Sequence, residues 1–142
     1  MGMLGPLIRP GEPSDLPEIV AIQAASPEAA CWPAAAYLEH DLRVAVLEKR
    51  VAAFLAARSV AADEFEILNL AVAPGFRRRG VGRALMESFL TGLHGAVFLE
   101  VRRSNSAARE FYKVLGFQEL TVRESYYSHP PEPAIVMKFH SC

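Results

Sequence analysis

Residues 75–83 read Gly75-Phe76-Arg77-Arg78-Arg79-Gly80-Val81-Gly82-Arg83, which packs four arginines and three glycines into nine positions. Arginine suits phosphate, and glycine lets backbone N–H groups approach an anion closely. Three glycine motifs compete for this stretch. A P-loop needs Lys and then Ser or Thr after Gly80, but Val81 and Gly82 stand there. A dinucleotide fingerprint needs a third glycine where Leu85 sits. What remains is a strand, a turn of arginines, and glycines in the first turn of a helix. Such a helix start favours negative charge, and a pyrophosphate suits it. The plain alternative is a solvated loop leading into a glycine-weakened helix.

Glu100 lies in Val97-Phe98-Leu99-Glu100-Val101, surrounded by apolar neighbours. A carboxylate in such a strand costs free energy unless it is paired or functional. Burial moves a carboxyl group in the direction a general base needs. The competing reading is a sheet-edge glutamate paired with Arg102 on the same face. Tyr112 follows in the next helix, on the Ala108–Phe111–Leu115 side, where a tyrosine is either core or proton donor. Asn105, at that helix's start, reads most simply as a cap.

The elements that must position these residues can be read from the pattern. Leu7-Ile8-Arg9 is a short first strand, ended by Pro10-Gly11. Ser14 is expected to cap a helix with Pro17 in its first turn and Leu16, Ile19 and Val20 at helical spacing. A second helix is expected from Pro33 to about Leu42. Val44–Leu47 and Val51–Val60 form a hairpin around Glu48-Lys49-Arg50, whose turn type the residues leave open. Glu64–Val72 is a long aliphatic strand closed by Ala73-Pro74-Gly75. A helix follows from Gly80 to near Gly92, then a strand from Ala96 to Arg102. Ser104 or Asn105 caps the next helix, which ends with Gly116 at C′. Strands Phe117–Val122 and Ala134–Phe139 close the chain, joined by a Tyr- and Pro-rich loop from Ser125 to Pro133. The order βααβββαβαββ implies an α/β domain on a mixed sheet, with residues 1–142 as a single domain.

Composition narrows the function. The chain has 142 residues, 51% hydrophobic and 22% charged, and a net charge of −1. Residues 1–71 carry five Lys/Arg against ten Asp/Glu, and residues 72–142 ten against six. The arginine cluster is thus local, and the overall charge would not draw a polyanion, so direct nucleic-acid binding is not expected. No apolar run reaches the 18 or so residues of a membrane span, and Met1 to Pro10 do not read as a secretion signal. Two cysteines, Cys31 and Cys142, make neither a metal cluster nor a disulfide framework. The expectation is a cytoplasmic protein without a metal.

Arg77-Arg78-Arg79-Gly80-Val81-Gly82 resembles the (Gln/Arg)-x-x-Gly-x-(Gly/Ala) signature of the GNAT acetyltransferase superfamily. Four further segments narrow the likeness: Glu66 to Val72, Leu99 to Asn105, Phe111 to Phe117, and Arg123-Glu124-Ser125-Tyr126-Tyr127. Together they resemble the ribosomal-protein-alanine N-acetyltransferases, over about residues 64–139, with weaker agreement from Leu7 to Trp32. The resemblance implies a GNAT-like fold with a mixed, mostly antiparallel sheet of about seven strands flanked by four helices. It implies acetyl-coenzyme A as co-substrate. Leu70, Ala71 and Val72 would offer backbone groups to the acetyl and pantetheine portion. Arg77, Arg78, Arg79, Gly80, Val81, Gly82 and Arg83 would form the pyrophosphate turn, and Asn105 would bond the pantetheine arm. Glu100 matches the family's general base and Tyr112 its general acid. Glu66 is a rival base, because other branches of the superfamily place a carboxylate there. Tyr126 and Tyr127 would wall a slot for an extended N-terminus.

The implied acceptor is the N-terminal alanine amine of a ribosomal protein, which would attack the thioester directly, without an acyl-enzyme. A small-molecule amine, a protein lysine, or a coenzyme A-binding module without turnover are the alternatives. The chain departs from the family in the acceptor region. Ala29-Ala30-Cys31-Trp32-Pro33 lacks the usual aromatic-Pro-Trp-Ser pattern, and Val51 to Arg58 lacks a glycine common in that strand.

Overall fold

The computed structural model describes residues 5–26, 32–128 and 131–141. Among these, seven strands hydrogen-bond in the order β1-β2-β3-β4-β5-β7-β6. They are β1 (Leu7–Pro10), β2 (Asp41–Leu47), β3 (Arg50–Ala61), β4 (Glu64–Val72), β5 (Gly95–Arg102), β6 (Gln118–Ser128) and β7 (Pro131–Ser141). The helices are α1 (Leu16–Ala24), α2 (Val81–Leu90) and α3 (Ser106–Val114), and a 3₁₀ segment, Ala34–Glu39, stands where a second helix was expected. The sheet is mixed: β4 and β5 run parallel, and the β1–β2, β2–β3, β5–β7 and β6–β7 pairs are antiparallel.

The chain gathers into two compact units, Met1–Arg58 with Leu68–Gly92, and Ser59–Ile67 with Leu93–Cys142. In the first, Ile19 and Ile22 of α1, Tyr37, Leu42 and Val44, and Phe54 and Ala56 of β3 form one buried cluster with Ala71. Fully burying a side chain such as Phe54 stabilises by roughly 1.5–3 kcal/mol. Val81, Leu85, Met86 and Phe89 recur at helical spacing and form the buried stripe of α2.

Two expectations need correction here. Ser14 is not a cap; it lies in a 3₁₀ turn, Pro13–Asp15, and Asp15 accepts from the Glu12 N–H at 2.8 Å instead. The helix expected to reach Leu42 ends earlier, because Asp41 and Leu42 pair with Ala57 and Ala56 of β3. Strand pairing and burial of Leu42 outweigh the helical preference of the alanines before it. The turn between β2 and β3 is also resolved. Glu48 and Lys49 have φ of 55° and 63°, the two positive values of a type I′ turn, without its usual Asn-Gly.

In the second unit, β5 pairs in parallel with β4 through Glu64↔Ala96, Phe65↔Val97 and Glu66↔Phe98, and antiparallel with β7 along its whole length. Gly95 opens β5 because only glycine fits: at φ 127° a Cβ would stand 2.0 Å from the Asp63 carbonyl oxygen. Alternation assigns the faces. Val97, Leu99 and Val101 lie opposite Phe139, Met137 and Ile135 on a buried face. Phe98, Glu100 and Arg102 lie opposite Lys138, Val136 and Ala134 on the other. The Ser125–Pro133 stretch is mostly strand rather than loop, since Tyr127 pairs with Glu132 and Ser128 with Pro131.

Candidate functional site

The arginine turn belongs to the first unit. Gly80 precedes α2 in the left-handed region at φ 75°, a conformation that costs a side chain roughly 1–2 kcal/mol. Arg78 adopts φ 64° two residues earlier. Among the described residues, no backbone N–H from Arg78 to Arg83 donates to a backbone carbonyl; the ladder starts with Ala84 to Gly80 at 3.0 Å. Six successive N–H groups without a backbone acceptor beside a helix start are an arrangement that suits an anion.

The arginine side chains divide their work. Arg77 donates to the Val72 carbonyl, the Ala25 carbonyl and the Ser26 hydroxyl, each at 3.2 Å, and so ties the end of β4 to the end of α1. Arg79 bonds Glu48 at 2.7 Å and lies 5.3 Å from the Phe76 ring centre. Arg83 pairs with Glu87 at 3.2 Å, one turn along α2. Arg78 has no hydrogen bond or ion pair among the described residues, which leaves its guanidinium for an anion.

Leu70, Ala71 and Val72 follow Asn69, a polar residue only 6% exposed. Asn69 Nδ2 donates to the Tyr37 hydroxyl at 3.0 Å, and that hydroxyl donates to Gln23 Oε1. Gln23 also grips the backbone of Trp32, accepting from its N–H and donating to its carbonyl, both at 3.0 Å. Sequence reasoning missed this network. The argument that singled out Glu100, a polar group inside an apolar strand, applies equally to Asn69. Of the divergent acceptor stretch, Ala29, Ala30 and Cys31 lie outside the described residues, as does Cys142.

Glu100, Tyr112, Asn105 and Glu66 belong to the second unit. Glu100 is 16% exposed and is not an edge residue, since β5 has partners on both sides. Its partner is not Arg102. Oε1 accepts from Nη1 of Arg123 at 2.5 Å, while Oε2 is buried with no hydrogen-bond partner. Glu66, paired with Phe98, projects from the same face as Glu100 on the neighbouring strand, so both candidate bases share a face. Tyr112 is 9% exposed; its ring meets Phe111 at 5.2 Å and Phe117 at 5.6 Å. Phe117 in turn meets Phe139, whose face of β5 is opposite that of Glu100.

Asn105 caps α3, its Oδ1 accepting from the Ala108 N–H at 3.1 Å, which leaves Nδ2 as a donor. Two ion pairs brace the segment before it. Arg102 bonds Glu132 at 3.1 Å; Arg109 bonds Glu119 at 2.7 Å and the Arg103 carbonyl at 2.8 Å. The Arg109 bond holds the Glu119 carboxyl below its ordinary value. Tyr126 and Tyr127 are strand residues of β6, and their side chains lie outside the described residues. Among the described residues no group of His, Cys, Asp and Glu could hold a metal ion, and no helix is long and apolar enough to cross a membrane.

An α/β fold with an arginine- and glycine-rich helix start and a carboxylate that has one oxygen buried without a partner suits a group-transfer protein with a phosphate-bearing substrate. The chain belongs to the acetyltransferase (GNAT) family, whose model matches residues 14–117. Among curated proteins it is 46% identical over 96 residues to the ribosomal protein bS18-alanine N-acetyltransferase of Salmonella typhimurium, a match covering 63% of this chain and 64% of that one. The match therefore spans just under two-thirds of that relative's length. Among solved structures, the ribosomal-protein-S18-alanine N-acetyltransferase of Escherichia coli superposes with a TM-score of 0.80 at 31% identity, covering 96% of both chains. Ard1 of Thermoplasma volcanium superposes at 0.84 and 30% identity, covering 95% of this chain and 97% of that one.

Proposed function

We propose that this protein transfers the acetyl group of acetyl-coenzyme A to the N-terminal alanine amine of a ribosomal protein, and that residues 1–142 act as one N-acetyltransferase domain. The carrying observation is Glu100, whose Oε2 is buried without a partner while Oε1 is held by Arg123. A buried polar atom left unsatisfied costs about 1–3 kcal/mol and calls for a ligand or a water. The likeness to the bS18-alanine enzymes supports the choice of acceptor.

The N–H groups of Arg78 to Arg83 and the Arg78 guanidinium would hold the pyrophosphate of the co-substrate, with Asn105 Nδ2 donating to its pantetheine arm. Leu70, Ala71 and Val72 would supply backbone contacts to the acetyl portion. Glu100, directly or through water, would take a proton as the amine attacks the thioester carbon. The C–N bond forms, the C–S bond breaks, and Tyr112 would protonate the departing thiolate. A thiol's reference pKa of about 8.5 and a tyrosine's of about 10 are close enough for efficient proton return. Glu66 is the alternative base, and Tyr126 and Tyr127 are the acceptor wall in this reading. The work would take place in the cytoplasm on a protein N-terminus, with neither nucleic acid nor membrane as a direct partner.

Mass spectrometry of a mixture of candidate peptides incubated with the full chain and acetyl-coenzyme A tests this. Acetylation of Ala-starting peptides at the α-amine is expected. Modification of lysines or of small amines alone would overturn the acceptor, and no transfer to any amine would overturn the enzyme.

A further inference from the structure

Arg123 reaches Glu100 from an unexpected place. It lies on β6, while Glu100 lies on β5, and β7 runs between them. The register shows how the contact is possible. Arg123 stands opposite Ala134 of β7, and Ala134 stands opposite Arg102 of β5, so all three project from the face that carries Glu100. Ala134 is fully buried and ends at its Cβ, which leaves room for an arginine arm to cross β7 above it. Irregularities in the β6–β7 register flank the Thr121–Arg123 segment on both sides, and such bulges re-aim side chains.

Stability does not explain this contact. The Arg123 side chain is 57% exposed, and ion pairs of that kind contribute about 0–1 kcal/mol. The contact does something more specific to the carboxylate. The terminal torsion of a glutamate is broad and roughly two-fold, so an unheld carboxylate exchanges and tilts its two oxygens. One short charge-assisted bond to Oε1 removes that freedom and leaves the buried, unpartnered Oε2 in one position.

We infer that Arg123 is a positioning residue for the transfer reaction: it fixes Glu100 so that Oε2 is the atom that receives the amine proton. This rests on the reading of Glu100 as the base. Arg123 itself touches no reacting atom, so its loss acts on kcat through Glu100. The bond to Oε1 comes from Nη1, so a lysine able to reach Oε1 can substitute for it.

The test compares the parent, Arg123→Gln, Arg123→Lys, Glu100→Gln and the Glu100→Gln/Arg123→Gln double variant, all in the full chain. The readouts are kcat and KM with an Ala-starting peptide, the Kd of acetyl-coenzyme A by calorimetry, and Tm. Arg123→Gln is expected to lower kcat on the order of 10–100-fold, the scale of a misplaced proton acceptor, with acetyl-coenzyme A affinity and Tm unchanged. Arg123→Lys recovers most of the loss, and Arg123→Gln costs nothing more once Glu100 is Gln. Parental kcat in Arg123→Gln, or an equal loss in the Glu100→Gln background, overturns the inference. Parental turnover in Glu100→Gln instead strikes the base assignment itself, and the role of Arg123 falls with it.

Discussion

The carboxylate of Glu132 accepts hydrogen bonds from both the backbone N–H and the hydroxyl of Ser104, each at 3.0 Å, while Arg102 donates to it at 3.1 Å. Ser104 immediately precedes the Asn105 cap, so the first residues of β7 fix the start of α3. Desolvation opposes ionisation of Glu132, but the Ser104 and Arg102 contacts outweigh it and hold the carboxyl below its ordinary value of 4.5. A carboxylate with a lowered folded pKa stabilises above its unfolded pKa, and the gain fades as pH falls through the folded value. The Tm gap between parent and Glu132→Gln is therefore expected to be present at pH 7 and to narrow steadily below pH 4.5. Thermal melts across that range check it; a gap that persists unchanged in acid would show that the ionised contacts are not its source.

Gly82 is a buried residue in the first turn of α2, within the run of free N–H donors. Gly82→Asp puts a carboxylate where the proposed pyrophosphate would bind, reversing the attraction of the helix start. Acetyl-coenzyme A is expected to raise the parent's Tm, and the variant is expected to lose most of that rise. Differential scanning fluorimetry at saturating co-substrate measures both, and equal shifts would remove the anion site from this turn.

Local signals made some of this architecture legible. The bounds of β4 follow from an aliphatic run closed by Ala73-Pro74-Gly75, and α3 begins at the Asn105 cap and ends before Gly116, as its residues imply. Long-range pairing hid the rest. The alanines before Tyr37 favour a helix, yet the strand contacts of Asp41 and Leu42 cut it to a 3₁₀ segment. Pro131 and Pro133 suggest a loop, yet Pro131 opens β7, a position where a missing N–H is tolerated. Glu100 stood out by its chemistry alone, but its partner could not, because Arg123 meets it across an intervening strand. The arginine block reads as a candidate anion site, but the diversion of Arg77 and Arg79 to structural bonds is not visible in its sequence.

Tyr112 packs against Phe111 and Phe117 in a cluster that Tyr112→Phe leaves intact apart from the hydroxyl. The substitution is expected to lower kcat by about 10²–10⁴-fold, the usual contribution of a general acid, with little change in co-substrate affinity. Steady-state kinetics where chemistry limits turnover, paired with calorimetric binding, separates the two effects. Near-parental kcat would make Tyr112 a core residue only.

The acceptor prediction turns on how much nucleophile each amine offers. An α-amino group has a reference pKa of about 7.7–8.0 and a lysine side chain about 10.4. At pH 7 roughly 10–20% of the first is neutral but only about 0.04% of the second, a difference of several hundred-fold. Glu100 presents one buried, unpartnered oxygen, and its other oxygen is committed to Arg123. A single carboxylate oxygen acting through water suits the amine that is easier to deprotonate. An Ala-starting peptide from a small-subunit ribosomal protein is therefore expected to be acetylated far faster than its N-terminally blocked, lysine-bearing twin. Initial rates for the two peptides at equal concentration decide it. If the blocked peptide is acetylated as fast, the acceptor is a lysine and the N-terminal assignment falls.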